Sequence, residues 1–211
     1  MWKWSFLLAG IILLSPSCLL ATSPLFATID ILGYGWNKDE VIVSLAGDVS
    51  VSEELVNDVN FALSDWNAAL AKVKGAPHLK LAATPTPDIV IILTDTSARQ
   101  DEQTENLGAA SLKPTMAYSC VLDRVAIVLH LQAYGRHFTH SGIRNILKHE
   151  IGHALGLGHS NDPSDPMYAF AEADMIFGTN DTEPLACHIK GLEQIYPLRP
   201  YCDMARSVNC F

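Results

Sequence analysis

The sequence predicts an α/β fold with a largely parallel sheet. Two mostly apolar runs, residues 88–94 and 125–131, have the length of strands, and runs of this kind are typical of strands that helices cover on both faces. A stretch with apolar residues at helical spacing precedes both runs. Because a connection from strand to helix to strand is right-handed and joins parallel strands, this order of elements favours an α/β sheet.

The first elements of the chain alternate between strand and helix. Residues 41–46 form the first predicted strand. Ser50 and Glu53 form a capping-box pair, which predicts the start of the first helix. Six apolar residues then recur at helical spacing and predict one buried stripe along that helix: Leu55, Val59, Leu63, Trp66, Leu70 and Val73.

The remaining elements follow from turns, caps and periodicity. A turn at residues 75–77 leads into residues 78–83, which alternate as a half-exposed strand. Thr139 or Ser141 can cap a later helix that packs on the sheet. Residues 183–196 predict a closing helix with one apolar face, formed by Ile189, Leu192 and Ile195.

The stretch that carries chemistry runs from His149 to Ser160 and reads H-E-I-G-H-A-L-G-L-G-H-S. His149 and His153 are four residues apart, so on a helix both imidazoles lie on one face and can bind one ion. Gly156 stands where this helix must end, because glycine adopts a positive φ without steric cost. The turn that follows brings His159 back as a third nitrogen ligand.

Three neutral imidazoles without a fourth protein ligand form an open tetrahedral site, which is typical of catalytic zinc. Zinc lowers the pKa of a bound water to about 7, and a neighbouring carboxylate can then take its proton. We therefore predict one Zn2+ held by His149, His153 and His159, with Glu150 as the catalytic base for hydrolysis of an amide bond. The other five histidines have no convincing ligand spacing, and none is predicted to bind metal: His78, His130, His137, His140 and His188.

The pattern H-E-x-x-H-x-x-G-x-x-H, followed by a methionine turn, resembles that of the metzincin metallopeptidases. Ser160 and the sequence Asp165-Pro166-Met167-Tyr168 are most similar to the matrixin (matrix metalloproteinase) branch. The resemblance implies a mixed, mostly parallel, five-stranded twisted sheet with a long first helix, a zinc-binding active-site helix, a Met-turn and a C-terminal helix. It also implies that Met167 forms an apolar floor below the imidazoles and that Trp36 packs at the edge of the core.

The resemblance further implies how a substrate binds. Residues 107–112 lie where matrixins have the antiparallel edge strand of the active-site cleft, so an extended polypeptide substrate would add to this edge as a further strand. Residues 95–106 lie where matrixins often hold calcium and a structural zinc. This loop is acidic but contains no histidine, so we predict no structural zinc and leave Ca2+ binding as an open alternative.

Composition and charge exclude other classes of function. The chain has 211 residues, 49% hydrophobic and 18% charged, which fits one globular domain with a substantial core. The formal net charge is −9, and no run of Lys or Arg is present. Nucleic-acid binding is therefore not predicted, and we expect a monomer.

The N-terminal residues have the layout of an export signal. Lys3 precedes an apolar run at residues 6–14, which is followed by proline and small residues. Cleavage after Ala27 is predicted in preference to Ala21, which leaves residues 28–211 as a single catalytic domain. An uncleaved membrane anchor is the alternative, because the segment carries no further charge. In either case the predicted location is secreted or on the extracellular surface.

Four cysteines lie beyond the predicted signal, and an even number in an exported chain predicts disulfides. Three pairings are possible, and the sequence does not decide between them. The pairing we expect joins Cys202 to Cys210 and Cys120 to Cys187, which would tie down the C-terminal tail.

The predicted function is that of a zinc-dependent endopeptidase acting on extracellular proteins. The alternative is a non-catalytic zinc-holding surface module for adhesion or partner binding. The presence of Glu150 favours the enzyme, because binding zinc does not require that carboxylate.

Overall fold

The computed structural model describes residues 27–97, 110–169, 177–184, 186–197 and 206–210. Within these ranges the elements in chain order are β1 (Thr28–Ile31), β2 (Glu40–Gly47), α1 (Glu53–Leu70), β3 (His78–Leu81), β4 (Ile89–Ser97), β5 (Ala110–Tyr118), β6 (Val121–Ala133), β7 (Arg136–His137), α2 (His140–Ala154), β8 (Leu157–Ser160), α3 (Ala186–Ile195) and β9 (Ser207–Asn209).

The main sheet has the strand order β3-β2-β4-β6-β5, and the short strand β7 pairs with the end of β6. Strands β2, β3, β4 and β6 are parallel, whereas β5 is antiparallel and lies at one edge. Val43, Ile91 and Ile127 on the central strands are completely buried, as expected of strands covered by helices. The predicted mixed, mostly parallel α/β sheet is confirmed.

The N-cap of helix α1 lies two residues later than the predicted cap, Ser50. Its N-cap is Ser52, which has an extended backbone and accepts a hydrogen bond from the Leu55 N–H. The predicted capping box of Ser50 and Glu53 is therefore wrong, because Glu53 is the first helical residue rather than the third. Glu53 and Glu54 instead place negative charge at the positive end of the helix dipole.

A second, three-stranded sheet has the order β8-β1-β9 and was not predicted. The central strand, β1, pairs antiparallel with both neighbours. None of the three strands exceeds four residues, and strands this short have no readable alternation. The small sheet matters because β8 leads directly out of the turn that follows α2.

The predicted disulfide pairing is wrong. Cys187, in the first turn of α3, is bonded to Cys210, just after β9. Cys120 is also disulfide-bonded. The observed pair forms because β9 packs beside α3, where Lys190 donates a hydrogen bond to the Cys210 carbonyl. The expected consequence nevertheless holds for this part of the tail, since residue 210 is tied to the domain.

Several predictions concern residues outside the described ranges. These include the export signal up to residue 26, most of the acidic loop at 95–106, and residues 107–109 of the predicted edge strand. Among the residues that are described, no helix combines the length and apolar character needed to cross a membrane.

Candidate metal centre

Helix α2 presents the first two histidines of the motif. Its N-cap is Thr139, whose hydroxyl accepts a hydrogen bond from the Gly142 N–H, so Thr139 rather than Ser141 caps the helix. Leu147 and Ile151 are completely buried and hold the helix on the sheet. With that face fixed, the rings of His149 and His153 project side by side, with centroids 4.5 Å apart.

Gly156 turns the chain immediately after α2. Its φ is +99°, and an added Cβ would lie 2.2 Å from the Tyr34 carbonyl oxygen. Glycine is thus required both for the backbone conformation and for the close approach of a second segment. Strand β8 follows at once and carries His159 back beside α2. The predicted role of Gly156 is confirmed.

The three histidines converge on one point. One ligand nitrogen from each of His149, His153 and His159 lies within 4.8 Å of the others. The Nε2 atoms of His149 and His153 are 3.0 Å apart. Two nitrogens bound to one zinc at about 2.0–2.1 Å with tetrahedral geometry would be separated by about 3.3–3.4 Å. The observed spacing is therefore close to that of a shared ion.

Backbone carbonyls fix the orientation of two of the rings. His149 donates from Nδ1 to the Pro166 carbonyl at 2.7 Å, and His153 donates from Nδ1 to the Leu157 carbonyl at 2.8 Å. With the proton on Nδ1, each Nε2 presents a lone pair to the centre, as metal-ligating histidines do. Neither Nε2 then has a hydrogen to share, so their proximity reflects two ligands directed at one position.

Burial keeps these imidazoles neutral. It lowers the pKa of His149 and His159, and it lowers the pKa of His153 to about 3. A neutral ring is the form that binds metal, because the protonated ring has no free lone pair. Three neutral nitrogen donors fit Zn2+, for which imidazole is a preferred ligand.

Glu150 lies between the two helical ligands in sequence, and only 8% of its surface is exposed. Burial raises the pKa of its carboxyl group to about 7. Burial and, secondarily, the nearby charge of Glu150 raise the pKa of Tyr34 to about 12. A cation bound at the three imidazoles would favour the ionised form of Glu150.

Met167 packs against α2 at Gly152, the residue that precedes the second helical ligand. A Cβ on Gly152 would lie 2.3 Å from the Met167 Sδ and 2.9 Å from Cζ2 of Trp66. Met167 is completely buried. Glycine at position 152 therefore lets the methionine and the indole pack directly against the backbone of α2.

A buried polar pair holds the turn that carries Met167. Asp165 accepts hydrogen bonds from His188 Nε2 and from the Met167 N–H, both at 2.7 Å. His188 comes from α3, and its ring stands edge-on to Trp66 with centroids 5.6 Å apart. His188 thus supports the turn whose Pro166 carbonyl orients His149.

Further contacts brace both ends of α2. At the C-terminal end, the Trp36 indole donates to the Ala154 carbonyl at 2.8 Å, and the Tyr196 hydroxyl donates to the Leu155 carbonyl at 3.2 Å. Trp36 therefore does more than pack at the core edge, because it also caps the helix. Along α2, five side chains hydrogen-bond to residues 178–182: Thr139, Ser141, Arg144, Asn145 and Lys148.

The three predicted metal ligands come together, while the other histidines lie elsewhere. His140 contacts Asp58, and His130 bonds to the Thr96 carbonyl. Across the described ranges, His149, His153 and His159 form the one group of His, Cys, Asp or Glu side chains spaced to hold a metal. Sequence reasoning missed the supporting residues Gly152 and His188. The small residue between two ligands was the available signal for Gly152.

An α/β domain with three convergent imidazoles beside a buried carboxylate defines the protein as a metallohydrolase of the metzincin type. The family model described as Matrixin matches residues 36–196, and the protein belongs to the matrixin family. The family establishes the protein as a zinc-dependent metallopeptidase, a hydrolase. A comparison with curated proteins found no match.

Proposed function

We propose that this matrixin is a zinc endopeptidase that cleaves peptide bonds within extracellular polypeptides. The observation that best supports the proposal is the meeting of three neutral imidazoles beside a buried carboxylate at the end of α2. A site built only to hold zinc has no need of that carboxylate. A general base must instead be placed near the metal without binding it.

In this proposal His149, His153 and His159 hold one zinc ion. The Nδ1 hydrogen bonds of His149 and His153 keep both rings aimed at the centre before the metal arrives. When bound, zinc would supply Lewis acidity, activating a water molecule and polarising the peptide carbonyl.

Glu150 moves the proton. Its carboxylate takes a proton from the attacking water and then gives that proton to the departing amine nitrogen. A carboxyl group whose pKa is raised by burial holds a proton more readily near neutral pH than an exposed one does. The burial that excludes bulk water from Glu150 also strengthens its interaction with nearby charge.

The edge strand β5 would hold the substrate. It lies at one end of the main sheet, none of the described strands pairs with its outer edge, and α2 packs beside it. An extended peptide can pair with such an edge through its backbone.

The proposed setting is outside the cell, with the protein acting as a monomer. Matrixins are generally secreted or extracellular, and the disulfide between Cys187 and Cys210 is compatible with an oxidising compartment. Mass spectrometry of the exported protein would show where the N-terminal segment is cleaved or whether it is retained as an anchor.

The test compares the exported wild-type protein with Glu150→Ala on an unstructured protein substrate. Removing the general base should lower turnover by about a hundredfold or more, while the zinc content stays at one ion per chain. Glu193→Ala is the matched control, because Glu193 is an exposed glutamate on α3, and it should leave turnover unchanged.

Two results would contradict the proposal. Equal digestion by the wild type and Glu150→Ala would remove Glu150 from the reaction. No digestion by either protein at full zinc occupancy would favour the alternative of a non-catalytic zinc-holding module.

A further inference from the structure

The pairing of β6 determines which backbone groups of β5 face outward. Val125 donates its N–H to the Asp88 carbonyl at 2.8 Å, next to the start of β4. The N–H and C=O of one strand residue point to the same side, and successive residues point to opposite sides. Val125 and every second residue after it therefore bond to β4, and the residues between them bond to β5.

Three residues of β5 lie opposite the residues that bond to β4. The register is Ala110 with Leu129, Leu112 with Ile127, and Pro114 with Val125. These are consequently the non-hydrogen-bonded pairs of an antiparallel ladder. The backbone groups of Ala110, Leu112 and Pro114 point away from β6, toward the outer edge, whereas those of Lys113 point toward β6.

Pro114 leaves a gap in this outward row. Ala110 and Leu112 each offer one N–H and one C=O to an added strand, but proline has no N–H and offers only its carbonyl. The position agrees with the general behaviour of proline, which is tolerated in a sheet where its nitrogen faces a free edge. An added peptide strand would meet no backbone donor at Pro114.

The outward row runs toward the ligand-bearing end of α2. The Trp36 indole is bonded to Ala154 at the end of that helix, and the neighbouring Gly35 forms a bridge with Val121 at the start of β6. Because β5 is antiparallel to β6, its later residues approach this same end. A peptide lying along the edge beside the metal centre therefore approaches Pro114.

We propose that Pro114 sets one limit of the substrate-binding register. The peptide pairs with Ala110 and Leu112, and the carbonyl of the substrate residue facing Pro114 finds no backbone donor. Residues added beyond that point contribute no further strand pairing, so the enzyme selects substrates by a short extended segment. This inference rests on the proposed function and identifies a specificity-determining residue within it.

The experiment measures kcat/KM for peptides that share one cleavable core and are lengthened one residue at a time at either end. For the wild type, the gain in kcat/KM per added residue should stop at the residue that faces Pro114. This limit should appear at only one end of the peptide. Pro114→Ala restores one donor, so the peptide that reaches this position should gain about two- to tenfold, the usual contribution of one hydrogen bond.

Two control variants separate this effect from general changes in the protein. Lys113→Ala alters the neighbouring residue, whose backbone faces β6, and Pro85→Ala removes an exposed proline before β4. Both should keep the wild-type length dependence. If Pro114→Ala matches the wild type, or if Lys113→Ala reproduces its effect, the inference is overturned.

An ester scan of the substrate tests the same point on the wild type alone, should Pro114→Ala fail to fold. Each ester weakens one carbonyl acceptor. The loss in kcat/KM should appear for carbonyls facing Ala110 and Leu112 and be absent for the one facing Pro114. Equal losses at all three positions would overturn the inference. If the wild type cleaves no peptide at all, the proposed function itself fails.

Discussion

Asp165 accepts a hydrogen bond from His188 at 2.7 Å in the protein interior, and the pair joins α3 to the turn that carries Met167. Both side chains are buried, with 2% and 0% of their surface exposed. The same Asp165 oxygen accepts the Met167 N–H, and the intervening Pro166 carbonyl orients His149. The stability of this turn and the geometry of the first ligand are therefore linked.

Replacing His188 with alanine should weaken both properties. The buried Asp165 carboxylate would lose one of its two observed donors, which should lower the free energy of unfolding by about 2–4 kcal/mol. Zinc affinity should fall by about tenfold or more, as for other residues that orient metal ligands. Urea unfolding and competition with a zinc chelator would measure the two effects.

His78→Ala is the matched control, because His78 is an exposed histidine on β3. It should change the free energy of unfolding by less than about 0.5 kcal/mol, as is usual for surface positions. Wild-type stability and zinc affinity in His188→Ala would show that the buried pair does not support the turn.

Gly152→Ala should destabilise the protein, contrary to helix propensity. Alanine is favoured over glycine within a helix by about 1 kcal/mol. At position 152, however, the added methyl group would collide with the Met167 Sδ and the Trp66 ring, and overpacking of this kind costs about 1–3 kcal/mol. Thermal unfolding would check the sign, and an increase in stability would contradict the close packing of Met167 on α2.

The parts of the fold and site that were predictable are encoded by local sequence patterns. The apolar run at residues 88–94 became β4, because its alternating residues Ile89, Ile91 and Leu93 are buried. The ligand set followed from the four-residue spacing of His149 and His153 on a helix. Gly156 was equally readable, since a single positive φ at a helix end favours glycine.

The parts that were missed depend on residues far apart in the chain. The pairing of Cys187 with Cys210 follows from the position of β9 beside α3, which no local pattern encodes. The role of His188 depends on meeting Asp165, 23 residues earlier. The helix start was missed for another reason: Ser50 has Glu53 at the capping-box distance of three residues, whereas Ser52, the observed N-cap, has Leu55 at that distance.

Removing the disulfide with a Cys187→Ser, Cys210→Ser double variant should destabilise the protein. The bond closes a loop with a sequence separation of 23 residues, which corresponds to about 3 kcal/mol of lost chain entropy in the unfolded state. Urea unfolding would measure the loss. Peptide mapping of the wild type without reduction should yield a fragment that joins Cys187 to Cys210, whereas a fragment joining Cys120 to Cys187 would contradict the structure.

The ion pair between Asp181 and Arg144 should contribute a stability that disappears in acid. Hydrogen bonds from the Arg144 guanidinium lower the pKa of Asp181 below its usual value. A lowered pKa in the folded state adds stability above the ordinary aspartate pKa of about 3.9, and this stability is lost as the pH falls through the lowered value. The wild type should thus exceed Asp181→Asn in stability at neutral pH and approach it in strong acid.

The comparison requires urea unfolding of the wild type and Asp181→Asn at a series of pH values from neutral pH to strong acid. Asp39→Asn, at an exposed aspartate before β2, is the control and should not reproduce the difference. A gap between the wild type and Asp181→Asn that does not change with pH would show that the ion pair is not its source.

X-ray absorption at the zinc edge of the zinc-loaded protein tests the proposed metal centre most directly. The expected spectrum contains three imidazole nitrogens at about 2.0–2.1 Å and one light atom from solvent in the fourth position. His159→Ala should lose one imidazole contribution, and His137→Ala, at an exposed histidine of β7, should lose none. A sulfur ligand, a fourth protein ligand, or a full set of three imidazoles in His159→Ala would contradict the proposed centre.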